Sequence, residues 1–525
     1  MSSWHRHLPN ELKPSEIELT AGGTLPTVWV SQWRNQPERN VIHDPVVGWV
    51  SAGDLLDRSE IIATRIANAG VEHGDRVLLS ATSSVELVAV HAAVLRLGAV
   101  VVPTNGAYRA DEVSHVVSDA RPKIAIVDQP DWTEWIQSCD PNVVVTSPLV
   151  ELDDGPSVGL DQVGGQAPAL IGYTSGTTGR PKGAVLSHSN LLSSVRALEI
   201  AWRWRPEDIL VLALPLFHMH GLGVGLHGSL AVGAQVVLLP EFDVTQVLDS
   251  IKKHDASMFF GVPTMYSRLI ESARARELNQ LRICVSGSAP LAAELHRQIH
   301  EVSGQRVLER YGMTETSPVS FQTEADDDLE HRVATVGSIH PHVECKIIDP
   351  DNGQVVPRGT AGELCSRGYL VMLGYWNNLD ATSEAIDQAR WMHTGDLAVM
   401  RDDGYVNIVG RIKDMIIRGG ENIYPREVEE FLYTHPCISD VQVIGVPDAK
   451  YGEEVCAWII LKEGQTPTDE DIRNFCRGKI ATVKIPRYIR FSDGYPMTVT
   501  GKAQKYKMRE ISINELGLES EAKIQ

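Results

Sequence analysis

Between residues 54 and 127 the hydrophobic pattern alternates between two periods, and no other feature of the chain narrows its fold as far. A helical pattern over 55–69 leads into the apolar run Val77 to Ser80, and a second helical stretch covers Val85–Leu97. Val100 to Val102 is β-branched, 111–119 is helical again, and Ile124–Val127 closes the series. Apolar runs separated by helices of about 10–15 residues read as βαβ units, because parallel neighbours need a crossover back to the same sheet end. The theme recurs in the runs at 209–214, 234–239, 257–262 and 281–286. The expected fold is α/β, a large layered domain with parallel-rich sheets and duplicated lobes.

The character changes after about residue 340. Residues 344–411 hold short alternating segments broken by turn signals such as Asp349-Pro350-Asp351-Asn352-Gly353 and Asp402-Asp403-Gly404, which predict a small antiparallel β region. From 412 a compact pattern follows, with a helix at 425–434, strands at 438–446 and 454–461, a helix at 469–478 and a tail punctuated by Pro and Gly. The chain has 525 residues, more than the ~250–300 that one core supports. Two domains are expected, 1–411 and a small α+β domain at 412–525.

Charge adds to the division. The formal net charge is −20, which makes phosphate backbones poor partners and argues against nucleic acid. Residues 412–525 carry only −2 of it, and Arg473 to Arg509 holds ten basic residues against the single acid Asp493. Seven widely spaced cysteines with no C-x-x-C pair indicate neither a disulfide framework nor a zinc knuckle, and fit a reducing, cytoplasmic setting. The longest apolar stretch, Leu87 to Val102, is interrupted by His91 and Arg96 and falls short of the ~20 residues of a membrane span. Neither a secretory h-region near Met1 nor a peroxisomal address at Gln525 is expected from the terminal residues.

The densest chemical signal is Tyr173-Thr174-Ser175-Gly176-Thr177-Thr178-Gly179-Arg180-Pro181-Lys182-Gly183. Glycines let backbone N–H groups approach an anion, while hydroxyls and lysine add donors. The spacing is not that of a Walker loop. Two other matches are weaker. Gly223-Val224-Gly225-Leu226-His227-Gly228 fits G-x-G-x-x-G but lacks the preceding strand and the acid ~20 residues on, so the small residues are read as close helix packing. His296 and His300 stand at i, i+4 without the Glu of H-E-x-x-H and are read as exposed helix residues.

Further motifs follow in order: Pro215-Leu216-Phe217-His218, Ser286-Gly287-Ser288-Ala289-Pro290, Glu309-Arg310-Tyr311-Gly312-Met313-Thr314-Glu315-Thr316, Gly362-Glu363-Leu364, Thr394-Gly395-Asp396 and Gly410-Arg411-Ile412-Lys413-Asp414. Arg418-Gly419-Gly420-Glu421-Asn422-Ile423-Tyr424-Pro425 and Thr500-Gly501-Lys502 complete the set. With these motifs the chain, from about residue 25 to 510, resembles the adenylate-forming superfamily and, within it, the acyl-CoA synthetases.

The resemblance implies roles. Thr174, Ser175, Gly176, Thr177, Thr178, Gly179 and Lys182 would wrap the β- and γ-phosphates of ATP. Tyr311 would stack on adenine, with Gly287, Ser288, Ala289 and Pro290 on the opposite face and Glu309, Gly312 and Met313 in the same nucleotide site. Thr314 would bond the α-phosphate, Glu315 with Thr174 would hold Mg²⁺, and Asp396 would take the ribose hydroxyls with Arg411 assisting. His218 would stand at the mouth of the carboxylate pocket, and Lys502 would be the catalytic lysine. Lys413 would be the hinge about which the small domain rotates to bring Gly419 and Gly420 to the site. The implied reaction joins a carboxylic acid to coenzyme A through an acyl-adenylate.

An apolar monocarboxylate is favoured, because 228–234 lacks the arginine that malonate-specific members place there. The alternatives are a malonyl-CoA or aryl-CoA ligase, an adenylation enzyme loading a carrier protein, a luciferase-type oxygenase and a non-catalytic nucleotide-binding protein. The expected partners are the small acid, ATP and coenzyme A, and a homodimer is compatible with the sequence.

Overall fold

The computed structural model describes residues 3–9, 12–174, 180–324, 326–497 and 503–522. Of the expected site residues, Ser175, Gly176, Thr177, Thr178, Gly179 and Lys502 lie outside these segments. Among the described residues the strands form four sheets.

The βαβ reading holds, but the repeats divide between two sheets. Arg76–Ser80, Val100–Pro103 and Ile124–Val127 pair in parallel in a seven-stranded sheet, which continues through Pro168–Thr174 to the antiparallel strand Lys182–Ser187. The later runs, Ile209–Leu212, Gln235–Leu238, Met258–Gly261 and Ile283–Ser286, together with Leu308–Tyr311, which lies outside those runs, form the parallel centre of a nine-stranded sheet. Asn40–Asp44 joins that sheet beside Gln235–Leu238, which no local pattern announced.

Helix Val85–Leu97 shows why local chemistry suffices for many elements. Ser84 caps it by accepting from Leu87 N, Gly98 closes it at φ +79°, and the residues between pack in the core. Its two polar interruptions are both satisfied. Arg96 is 1% exposed and pairs with Asp161 at 3.2 Å while donating to Ser59, and His91 Nε2 lies 2.7 Å from His227 Nε2. The glycines at 221–228 behave as read. The segment His220–Leu226 is a π-helix, and a Cβ at Gly221 or Gly225 would strike the Pro215 carbonyl or Leu212.

The antiparallel region is a four-stranded sheet of Val343–Ile348, Ala361–Gly368, Met392–Met400 and Val406–Arg411. A fourth sheet of Ile416–Arg418, Glu421–Ile423, Ile438–Asp448, Gly452–Leu461 and Tyr488–Phe491 carries its own core around Val441, Val443, Val455, Ala457 and Ile472. The tail punctuated by Pro and Gly leads into a helix, Lys505–Leu516, whose Met508 packs on Trp458 and Ile444. One histidine expectation fails. His296 is 3% exposed and its Nε2 lies 2.8 Å from the Val307 carbonyl oxygen, so it ties helix Ala293–Ser303 to the strand behind it. All seven cysteines are free, and no helix among the described residues is long and apolar enough to cross a membrane.

Candidate active site

The carboxyl ends of parallel strands from the two large sheets supply most of the expected residues, the position where open α/β sheets leave a crevice for ligands. Thr174 ends one strand, Ser286 ends another with Gly287 just beyond it, and Tyr311 ends a third.

Thr174 Oγ1 donates to Glu315 Oε1 at 3.0 Å, and Tyr375 OH donates to the same oxygen at 3.0 Å. Glu315 is 5% exposed, and its carbonyl accepts from Met372 N. Lys182 stands opposite Thr174 in the hairpin, its ammonium 5.3 Å from the Tyr375 ring centroid. Burial beside the Glu315 carboxylate pushes the Tyr375 phenol well up, so it remains a donor. Thr314 packs against Gly172, where a Cβ would lie 2.7 Å from Thr314 Cγ2. A buried carboxylate beside a threonine hydroxyl is a hard-oxygen set that fits Mg²⁺.

A second network lies beside the first. Tyr311 OH donates to Asp396 Oδ2 at 2.6 Å, and Arg411 Nε donates to Asp396 Oδ1 at 2.9 Å. Asp396 and Arg411 are register partners on neighbouring strands, so the pairing is fixed by the sheet. Asp396 is buried, and Arg411 is half-exposed. Asp396 N donates to Thr394 Oγ1, which itself donates to the Leu364 carbonyl. Gly312 and Met313, both half-buried, continue from Tyr311. Glu309 is buried, accepts from Leu291 N at 3.4 Å, and burial pushes its carboxyl up to about 7. It thus anchors the loop after Ala289 and Pro290 rather than facing solvent.

Ser288 takes φ +71°, and its Oγ lies 3.3 Å from His220 Nδ1. His218 is half-buried, with Nδ1 accepting from His220 N. Lys413 sits in the short 3₁₀ turn Ile412–Asp414, and Gly419 and Gly420 form an exposed hairpin tip at φ +61° and +87°.

Three site neighbours carried no role in the sequence reading. Tyr375 has no local signal, since only the pairing of Gly374–Tyr375 with Lys182–Ser187 brings it to Glu315. His220 stands two residues beyond His218. Arg310, within the quoted motif, is buried beside His220 and Gly287 and donates to the Pro318 carbonyl. Burial pulls its guanidinium down to about 10.

The basic run 473–509 is largely neutralised in space. Arg473 and Arg477 pair with Glu470, Lys484 with Glu427, and Arg487 with Asp448. Arg490, Lys505 and Arg509 pair with Glu515, Glu429 and Glu453.

Residues 29–376 match the family described as AMP-binding enzyme, and 427–502 match the AMP-binding enzyme C-terminal domain. The chain belongs to the AMP-binding enzymes. It is 38% identical to the putative acyl-CoA synthetase YngI of Bacillus subtilis (strain 168), over 87% of this chain and 91% of that protein. It is 35% identical to the mitochondrial medium-chain acyl-CoA ligase ACSF2 of Homo sapiens, over 92% and 86%. Among solved structures, ATP-bound MatB from Rhodopseudomonas palustris superposes with a TM-score of 0.88 at 34% identity, over 93% of this chain and 98% of that one. The o-succinylbenzoate CoA synthetase MenE of Bacillus subtilis, with its acyl-adenylate intermediate, gives 0.83 at 28%, over 92% and 97%.

Proposed function

We propose that this AMP-forming acyl-CoA synthetase, which uses ATP and coenzyme A, activates an apolar monocarboxylic acid. The observation that carries the acyl assignment is a small cavity beside the His218 segment, lined mainly by Leu79, Leu87, Val88, Leu216 and Phe217, with His91 and Thr104 as its polar members. Walls of this kind favour an apolar group and place no cation there to pair a second carboxylate, since burial keeps His91 neutral. The medium-chain ligases among the relatives agree with this reading.

The acid's carboxylate oxygen attacks the α-phosphorus of ATP and pyrophosphate leaves. The thiol of coenzyme A then attacks the acyl carbonyl, and AMP departs. Asp396 takes the ribose hydroxyls, exchanging its bond from Tyr311 for them and keeping Arg411. Tyr311 presents its ring to the base, opposite the 287–290 turn. Thr174, Lys182 and Thr314, with the 175–179 segment, bind the phosphates, and Lys502 neutralises the charge gathered in the first step. Glu315 with Thr174 would hold Mg²⁺, which supplies charge neutralisation on the polyphosphate when bound. His218 guards the carboxylate entrance. The chain works as two bodies, 1–411 and 412–525, that turn about Lys413 between the two steps and bring Gly419 and Gly420 in for the thiol. Free thiols at all seven cysteines suit a cytoplasmic place of action.

Arg310 favours a second reading. A buried guanidinium beside His220 and Gly287 is a ready partner for a second carboxylate, as in malonate.

The test measures pyrophosphate release from Mg·ATP with saturated acids of increasing length, benzoate and malonate, with and without coenzyme A. Release with apolar monocarboxylates, and their acyl-CoA when the thiol is added, is expected. Malonate alone turning over would move the assignment to the second reading, and no acid-dependent release with any member would refute both.

A further inference from the structure

Outside the nucleotide contacts, the small antiparallel sheet brings together three donors of different chemistry. Cys365 and His393 are register partners on neighbouring strands, and Glu363 lies two residues from Cys365 on the same face. His393 Nδ1 stands 2.9 Å from Glu363 Oε2 and 3.7 Å from Cys365 Sγ, and all three donor atoms lie within 4.8 Å of one another. Tetrahedral zinc with its usual bond lengths separates sulfur from nitrogen by about 3.6 Å and nitrogen from oxygen by about 3.4 Å. The observed distances need only small side-chain rotations to reach those values. Glu363 and Cys365 are buried, whereas the His393 side chain is 28% exposed, which leaves an entry path and room for a water as fourth ligand.

We propose that Glu363, Cys365 and His393 form a site for a divalent transition metal of zinc's preferences, and that its occupancy weakens ATP binding. Burial pushes the Cys365 thiol up to about 12, so the metal itself has to displace the thiol proton. Once it is bound, a dication, a thiolate and a carboxylate with neutral imidazole sum to zero, and the two other charged groups facing the thiol, Lys346 and Asp387, oppose each other. On binding, the Cys365 thiol gives its proton to solvent, the Sγ–metal bond forms, and the His393–Glu363 contact is replaced by two bonds to the metal.

The route to ATP is short. Glu363 Oε1 accepts from Gly395 N at 3.1 Å, and Asp396 follows directly. A metal drawing on Oε2 turns the carboxylate that holds the ribose loop. No spacing in the sequence signals the site, since its donors are 363, 365 and 393 and only strand register unites them.

Co²⁺ is the probe, titrated into the full-length enzyme without nucleotide while the near-ultraviolet thiolate-to-cobalt absorption is followed. One saturable equivalent is expected, displaced by Zn²⁺ and lost in Cys365→Val, Cys365→Ser and His393→Gln. Circular dichroism of each variant, with Cys365→Ser as the closer match in size, separates loss of ligand from loss of fold. With Zn²⁺ present, the ATP KM of the wild type should rise several-fold, and that of folded Cys365→Ser should not. A titration with no saturable thiolate band overturns the site, as does a band that survives in all three variants. Metal binding that leaves the ATP KM unmoved overturns the link to the ribose loop.

Discussion

Gly312 offers the sharpest test of how the nucleotide loop is held. A Cβ added there would lie 2.0 Å from the Pro318 carbonyl oxygen, 2.2 Å from its carbon and 2.7 Å from Val319 N. Real Cβ atoms essentially never approach within 3.0 Å, so the two backbone segments must part by about 1 Å. They resist this, because Ser320 N donates to the Tyr311 carbonyl at 3.0 Å and Tyr311 pairs with Phe321 across the sheet. The displaced residues are Tyr311, Thr314 and Glu315, the proposed adenine, phosphate and magnesium ligands. Overpacking of this kind costs about 1–3 kcal/mol of stability, and a shift of about 1 Å in positioning groups costs about 100-fold in rate. Gly312→Ala is therefore expected to fold with a lowered urea midpoint and to lose about two orders of magnitude in kcat/KM for acid-dependent pyrophosphate release. Gly410→Ala, beside Arg411, is the control, since no described atom other than those of its chain neighbours would lie within 4 Å of its Cβ. A Gly312→Ala enzyme with wild-type kcat/KM would show that the loop is not fixed by this contact.

Other outcomes follow from the same geometry. Asp396→Asn removes the main counter-charge of Arg411 and weakens two charge-assisted bonds, so the ATP KM should rise about 10–100-fold; an unchanged KM would remove Asp396 from the ribose site. Lys502→Ala should abolish adenylation while thioester formation from supplied acyl-AMP largely survives, and equal loss in both half-reactions would refute the assignment. Glu309 supplies a pH signature. Its carboxyl is raised from 4.5 to about 7 in the fold, so its contribution is full below pH 4.5 and is lost as pH rises through 7, about 3 kcal/mol in all. Glu309→Gln should flatten the fall in urea midpoint across that window, and parallel curves for the two proteins would show that Glu309 does not titrate there.

Much of the fold was legible because its signals are local. Val85–Leu97 carries its own cap, its own stop and an apolar sequence, and the turns of 344–411 declare their strands through Asp, Asn and Gly. The tail punctuated by Pro and Gly did not announce helix Lys505–Leu516, which has little amphipathic pattern and owes its place to Met508 beneath Trp458. His296 misled for a related reason: a polar side chain on a helix reads as exposed until a carbonyl, here that of Val307, accepts it inside.

The site divides along the same line. Tyr311, Asp396, Glu315 and Thr174 were named from motifs, whereas Tyr375 reaches Glu315 only because an edge strand pairs with the hairpin after the phosphate loop. Charge shows the limit most plainly. The run 473–509 is strongly basic along the chain, yet seven of its ten cations meet acids contributed by other segments or by the preceding helical turn. The amino-acid order alone determined the βα alternation, the antiparallel region and the order of the binding motifs, because periodicity and turn chemistry act over a few residues. Tertiary structure alone decided which charges cancel, which hydroxyls reach Glu315 and how Glu363, Cys365 and His393 converge, because those contacts depend on register between strands far apart in the chain.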